Sequence, residues 1–171
     1  GIIGQLVCRL AEAQGSEVIG IDPDTKRTDM SANFYTSVEE ANMTNVDSVI
    51  ITAATSSNEP IEVATKIARN KAKIVVVGDI PLNISRNDFY YKELELVVSK
   101  SYGPGRYDKQ YEILGKDYPI EYVRWTENRN FEAFIKLLSQ NQIHLLDLVT
   151  EEVSFENAPS IYKKFTGEDK P

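Results

Sequence analysis

The sequence predicts an α/β fold: a doubly wound parallel sheet that lacks its first strand. Three observations carry this expectation. A Gly1-Ile2-Ile3-Gly4 turn leads straight into an amphipathic helical stretch. Short β-branched runs at Glu17 to Ile21, Asp47 to Thr52, Lys73 to Val77 and Leu94 to Ser99 alternate with helical patterns. Those runs end in aspartate, glycine or other small residues, as parallel strands do where the chain turns toward a helix. Right-handed crossovers would place the turns at Gly1, Asp22, Ala53 and Gly78 along one sheet edge.

The first helix follows from Ile3, Leu6, Val7, Leu10 and Ala11, which share one face, with Gly15 as its stop. Gly1 and Gly4 then read as the second and third glycines of a G-x-G-x-x-G turn, and Asp22 follows Gly4 by 18 residues. In such a Rossmann-like unit the second glycine admits a pyrophosphate close to backbone. The third lets the helix pack on the sheet, and the acid accepts the ribose hydroxyls. The expected ligand is a dinucleotide, its pyrophosphate on the helix N–H groups of Ile2, Ile3 and Gly4. The charge on Asp22 favours NAD over NADP, although Lys26 and Arg27 stand close enough to soften that preference.

After Asp22 a polar turn runs from Pro23 to Asp29. Ser37-Val38-Glu39-Glu40 has the form of a capping box and opens a short helix. The strand from Asp47 to Thr52 ends in Ala53-Ala54-Thr55, small residues suited to a crevice where a cofactor passes backbone. Pro60 sits in the first turn of a helix reaching about Asn70, with Ile61, Ala64 and Ala68 on one face. The next strand ends in Gly78-Asp79-Ile80. The expected cofactor-binding set is therefore Gly1, Ile2, Ile3, Gly4, Asp22, Arg27, Ala53, Ala54, Gly78, Asp79 and Ile80. No residue is assigned a catalytic or metal-binding role.

Residues 101–130 depart from the alternation. They hold Tyr102, Tyr107, Tyr111, Tyr118, Tyr122 and Trp125 among Arg106, Arg124 and Arg129, a composition unlike that of disordered chain. Two readings stay open: a substrate-proximal loop that stacks on a sugar or nucleotide, or a packed insertion. Asn130 is the expected cap of the following helix, with Phe131, Phe134, Ile135 and Leu138 inward. Gln142 to Val149 looks extended, and its lone His144 reads as structural. Ala158, Ile161, Tyr162 and Phe165 share a helical face before a polar tail from Gly167 to Pro171. The domain plan is thus 1–150 as a nucleotide-binding unit, with 101–130 as an insertion, and 151–171 as a return segment.

Length 171, hydrophobic content 42% and net charge −7 suit one domain with a real core. The acidic balance argues against nucleic acid, and no apolar run reaches the roughly 20 residues of a membrane span. The single cysteine, Cys8, has no disulfide or zinc partner and reads as a buried packing residue. A cytoplasmic location is the default expectation. A sheet without its first strand leaves two open edges, which dimerisation, exchange of an element or rearrangement would cover.

Gly1-x-x-Gly4, Ile21-Asp22, Val77-Gly78 and the closing Val153-Ser154-Phe155-Glu156-Asn157-Ala158-Pro159-x-x-Tyr162 together resemble the nucleotide domain of medium-chain, zinc alcohol dehydrogenase-like oxidoreductases. Ser101-Tyr102-Gly103-Pro104-Gly105-Arg106-Tyr107-Asp108 and Tyr122-Val123-Arg124-Trp125-Thr126-Glu127 look like a subgroup carrying a further Gfo/Idh/MocA-type module, often linked to surface-polysaccharide metabolism. The resemblance implies NAD(P)-dependent hydride transfer, backbone contacts to the nicotinamide near Gly78 to Ile80, and a catalytic domain N-terminal to these residues. By that reading this chain alone is inactive. The alternatives are a regulatory Rossmann domain that senses NAD without chemistry, and a short-chain sugar-modifying enzyme. The latter needs a Tyr-x-x-x-Lys pair that the sequence lacks.

Overall fold

The computed structural model describes residues 1–28 and 33–166. Its elements run α1 (Ile2–Ala13), β1 (Gly20–Ile21), α2 (Thr25–Thr28), β2 (Phe34–Tyr35), α3 (Val38–Ala41), β3 (Val46–Ile51), α4 (Glu59–Ile67), β4 (Ala68–Val76), α5 (Arg86–Lys92), β5 (Glu95–Val98), α6 (Lys109–Glu112), α7 (Glu127–Ser139) and α8 (Ala158–Thr166), with 3-10 turns at Leu146–Leu148 and Phe155–Asn157. Every strand pairing is parallel, but the strands form two sheets. One is β1-β2, in which Gly20 faces Phe34 and Ile21 faces Tyr35. The other is β3-β4-β5, aligning Ile51 with Val76 and Val76 with Val98. Among the described residues no strand joins β1 to β3, so the single sheet expected from the sequence is divided in two.

The core lies on the three-stranded sheet. Ile51, Ile61, Ala64, Ile74, Val76 and Ile80 form one buried cluster, supported by Val49, Phe89, Leu94 and Leu96. Each large aliphatic buried there is worth about 1.5–3 kcal/mol. The helical face of Ile61 and Ala64 packs down onto this sheet as its periodicity requires. The helix ends at Ile67, three residues short of the expected Asn70, because Ala68 is already extended and opens β4. Lys92 makes that abrupt change feasible. Its ammonium donates to the carbonyls of Thr65, Lys66 and Ala68 at 2.7, 2.9 and 2.8 Å. Those are acceptors left without partners at a helix C-terminus, where the dipole also favours a cation.

α1 ends as expected. Gly15 is left-handed at φ +86, with Gly15 N–H donating to Glu12 O and Ser16 N–H to Ala11 O, a Schellman closure. Its inward face differs from the expected one: Gln5 is buried, Leu6, Val7 and Leu10 are half-buried, and Ile3 is 53% exposed. Cys8 is likewise only half-buried, and desolvation together with the nearby Glu12 pushes its thiol up.

The capping box forms in altered form. Ser37 Oγ accepts from Glu40 N–H, but the Glu40 carboxylate reaches Thr36 N–H at 2.8 Å rather than Ser37. Only Gly20 and Ile21 of the Glu17-to-Ile21 run pair as a strand. The polar turn after Asp22 contains the one-turn helix α2, and Asp29 and the tail from Gly167 lie outside the described residues.

Residues 101–130 form a packed unit. Tyr111 is buried, stacks on Tyr118 at 5.7 Å between ring centroids, and accepts Asn128 N–H at its hydroxyl. Arg129 donates to Asp117 and to the carbonyls of Tyr118 and Val123. Tyr118 OH donates to Asp108, which holds the Asp108 carboxyl below its usual range. Thr126, not Asn130, is the N-cap of α7; Asn130 lies inside the helix and donates to Tyr102 O. The inward face is shifted as well, since Phe131 and Ile135 are more than half exposed while Phe134, Leu137 and Leu138 are partly covered.

Gln142 to Val149 is not extended: it turns through the 3-10 helix at Leu146–Leu148. There Asp147 takes a two-point ion pair from Arg9 of α1, at 3.0 and 2.5 Å, and His144 offers Arg9 its backbone carbonyl. On α8, Ala158 and Ile161 are partly covered, Tyr162 is exposed, and the side chain of Phe165 lies outside the described set.

Candidate functional site

The expected site begins where α1 begins. Gly1 is the N-cap residue, and no side chain caps the helix start, so its first N–H groups point out of the element without a side-chain acceptor. Beside them stands Asp22, at the end of β1. Its Oδ2 lies 3.1 Å from the Gly1 nitrogen and its Oδ1 accepts Asp24 N–H at 3.1 Å. The Asp22 side chain is 16% exposed, and its backbone N–H donates to Tyr35 O across β2. A carboxylate is thus held next to an uncapped, amide-rich helix start.

Further contacts link the start of α1 and the turns that end β3 and β4. A Cβ on Gly4 would lie 3.0 Å from Thr52 Oγ1, just past β3. Close approach of helix and strand end accounts for a glycine there. A Cβ on Gly78 would lie 1.9 Å from Ala53 O, a clash that no rotamer relieves. Thr55 N–H donates to Asp79 O at 2.9 Å, while Val77 and Gly78 N–H both reach Ile51 O. Of the expected residues, Gly1 thus meets Asp22 and Gly78 meets Ala53, while Gly4 and Asp79 meet Thr52 and Thr55, the neighbours of the Ala53-Ala54 turn.

The individual exposures differ. Ile2, Ile3, Ala53, Ala54 and Asp79 are exposed. Ile80 turns its side chain into the core and leaves only backbone to the site. The side chain of Arg27 lies outside the described residues. Thr52 was not among the expected residues. A hydroxyl at the last position of the expected strand from Asp47 to Thr52 was the signal available for it. Among the described residues, no three His, Cys, Asp or Glu side chains come together as a metal cluster would require, and no helix is long and apolar enough to cross a membrane.

No known protein family's sequence pattern matches the chain, and no curated protein matches it. Solved structures do share its architecture. A short-chain alcohol dehydrogenase from Escherichia coli CFT073, determined with NADH, superposes over 96% of this chain at a TM-score of 0.66 and 17% identity. A candidate alcohol dehydrogenase from Sinorhizobium meliloti 1021 superposes over 98% at 0.60 and 13% identity. This chain spans 45% and 43% of those two proteins, less than half of either. What they share with it is an α/β, Rossmann-like fold of parallel strands.

Proposed function

We propose that this chain is the dinucleotide-holding portion of an NAD(P)-dependent oxidoreductase of the medium-chain, zinc alcohol dehydrogenase-like type. The observation that carries the reading is the Asp22 carboxylate beside the uncapped start of α1. Those two features meet the ribose hydroxyls and pyrophosphate of one adenosine diphosphate, and the donor set fits that group. The turns at Ala53 and Gly78 continue along the same edge, where backbone can meet the nicotinamide. When bound, the dinucleotide supplies the hydride chemistry; the residues here bind and orient it. NAD is preferred over NADP because Asp22 would repel a 2′-phosphate.

The break between β1 and β3 supports a missing central strand. In the strand order 3-2-1-4-5-6, strand one stands between a set of two and a set of three, and the two-stranded and three-stranded sheets of this chain match that division. A strand running in parallel between them would end at the Gly1 turn. On this reading, catalytic groups belong to another part of the parent protein and 151–171 leads back toward it. The substrate is an alcohol, carbonyl or sugar-type compound. The polar-aromatic strings at 101–108 and 122–127 favour the subgroup with a Gfo/Idh/MocA-type module.

Calorimetry of NADH and NADPH with the parent protein and with this chain tests the reading. Asp22→Ala is expected to weaken NADH binding by about 1–3 kcal/mol. Unchanged affinity removes the role given to Asp22. Binding by the parent without any hydride transfer, followed by NADH absorbance across a panel of alcohols and aldehydes, would favour the sensing domain instead.

A further inference from the structure

The unit at 101–130 holds aromatic rings at the surface in a way its own packing does not require. Its interior is built on Tyr111, Tyr118 and Arg129, yet Tyr102 and Trp125 are each 51% exposed. Tyr102 and Tyr107 both sit at φ +68, flanked by Gly103 at +83 and Gly105 at +118. A left-handed conformation at a bulky residue is unfavourable and persists only when its surroundings impose it. Here they do: Asn130 donates to Tyr102 O at 3.1 Å, Glu127 N–H to Pro104 O at 2.8 Å, and Gly105 abuts the Tyr111 ring too closely for a Cβ.

Beside these rings a cleft of about 1360 Å³ opens between the end of β5, the C-terminal half of α1 and α7. Lys100, Tyr102, Arg124, Trp125, Asn130 and Gln140 are among its lining residues. Arg124 stacks over the Trp125 ring at 4.2 Å, and Lys100 lies 5.4 Å from the Tyr107 centroid. Neither cation has a carboxylate partner among the described residues, whereas Arg106 and Arg129, in the same unit, are paired with Glu112 and Asp117. Two cations without carboxylate partners, two half-exposed rings each with an arginine over one face, and side-chain amides in one cleft make a complementary surface for a specific chemistry. Rings take the apolar face of a pyranose, amides its hydroxyls, and cations an acidic substituent.

We propose that this cleft binds an anionic saccharide, its carboxylate or phosphate held by Lys100 and Arg124 and its ring set against Trp125 and Tyr102. The proposal names a substrate class for the oxidoreductase reading and rests on that reading for its role, though not for its geometry.

Trp125 is the only tryptophan in the chain, so its fluorescence reports the cleft directly. Titrating the chain with D-glucuronate, with glucose 6-phosphate and with glucose distinguishes the two anion sources from a neutral control. A saturable change with one or both anionic sugars, at least tenfold weaker for glucose, is expected. Calorimetry should then show Arg124→Gln and Lys100→Gln each weakening that binding about tenfold, with thermal midpoints close to the parent's because both residues are exposed. Absence of a saturable response to either anionic sugar overturns the proposal, as does equal binding of glucose or indifference to both substitutions. Asp22→Ala keeps the two readings separate: it is expected to weaken NADH binding and to leave sugar binding as it was.

Discussion

Gly78 decides how closely the turns after β3 and β4 can approach. With Ala53 O at 1.9 Å from any added Cβ, Gly78→Ala forces backbone apart. It is expected to cost about 1–3 kcal/mol or more, read from chemical denaturation. Lys92 is the other residue on which an element depends. Lys92→Met keeps the aliphatic stem and removes three donated hydrogen bonds. The loss should be roughly 1–3 kcal/mol, with the α4–β4 junction the first amides to exchange hydrogen. Gly78 was visible in the sequence as a turn glycine, but the atom that forbids a side chain belongs to a residue 25 positions earlier. Lys92 carries no such mark in the sequence, since nothing local announces which carbonyls a lysine will reach.

At the scale of elements, the ion pair of Arg9 with Asp147 fixes α1 to the 3-10 turn after α7. The arginine donates at two points and holds the Asp147 carboxyl below its usual range. A carboxyl with a lowered folded value stabilises the fold above its unfolded value, and that contribution is lost as pH falls through the folded one. Asp147→Asn should therefore lower the thermal midpoint at neutral pH. The gap from the parent chain should close in acid, as pH falls through the lowered folded value and both carry a neutral side chain there. A gap that persists unchanged into acid would show that the charge plays no part.

Element boundaries were legible where local chemistry sets them. Gly15 closes α1, Ser37 opens α3, and the apolar runs give β3, β5 and the end of β4 to within a residue, whereas β4 starts at Ala68, five residues ahead of the expected Lys73. Element faces were less so. Ile3, Phe131 and Ile135 lie at apolar helical positions yet remain exposed, because periodicity says which residues share a face and not whether anything packs against it. The extended look of Gln142 to Val149 yielded to a 3-10 turn anchored by Arg9, a partner more than 130 residues away in sequence.

For the molecule as a whole, the division into β1-β2 and β3-β4-β5 leaves an edge of β1 and an edge of β3 without strand partners among the described residues. Ile21 and Ile50, beside those edges, are exposed. Placing a short run of alternating valines ahead of Gly1 is expected to raise the thermal midpoint. It should also slow hydrogen exchange at Gly20, Ile21 and Val46–Ile51; a glycine-serine run of equal length should do neither. Equal behaviour of the two extensions would count against a strand-shaped gap.

By itself the sequence determined the class of fold, the alternation of strands with helices, and the meeting of a glycine turn with an acid one strand later. Those depend on short-range chemistry: propensity, periodicity and the geometry of turns. Tertiary structure alone decided which carbonyls Lys92 serves, that 101–130 folds around Tyr111 as a unit, and that the strands lie in two sheets. Each of these depends on contacts between residues far apart in the chain, where the burial and pairing that set the energy are not written in any local pattern.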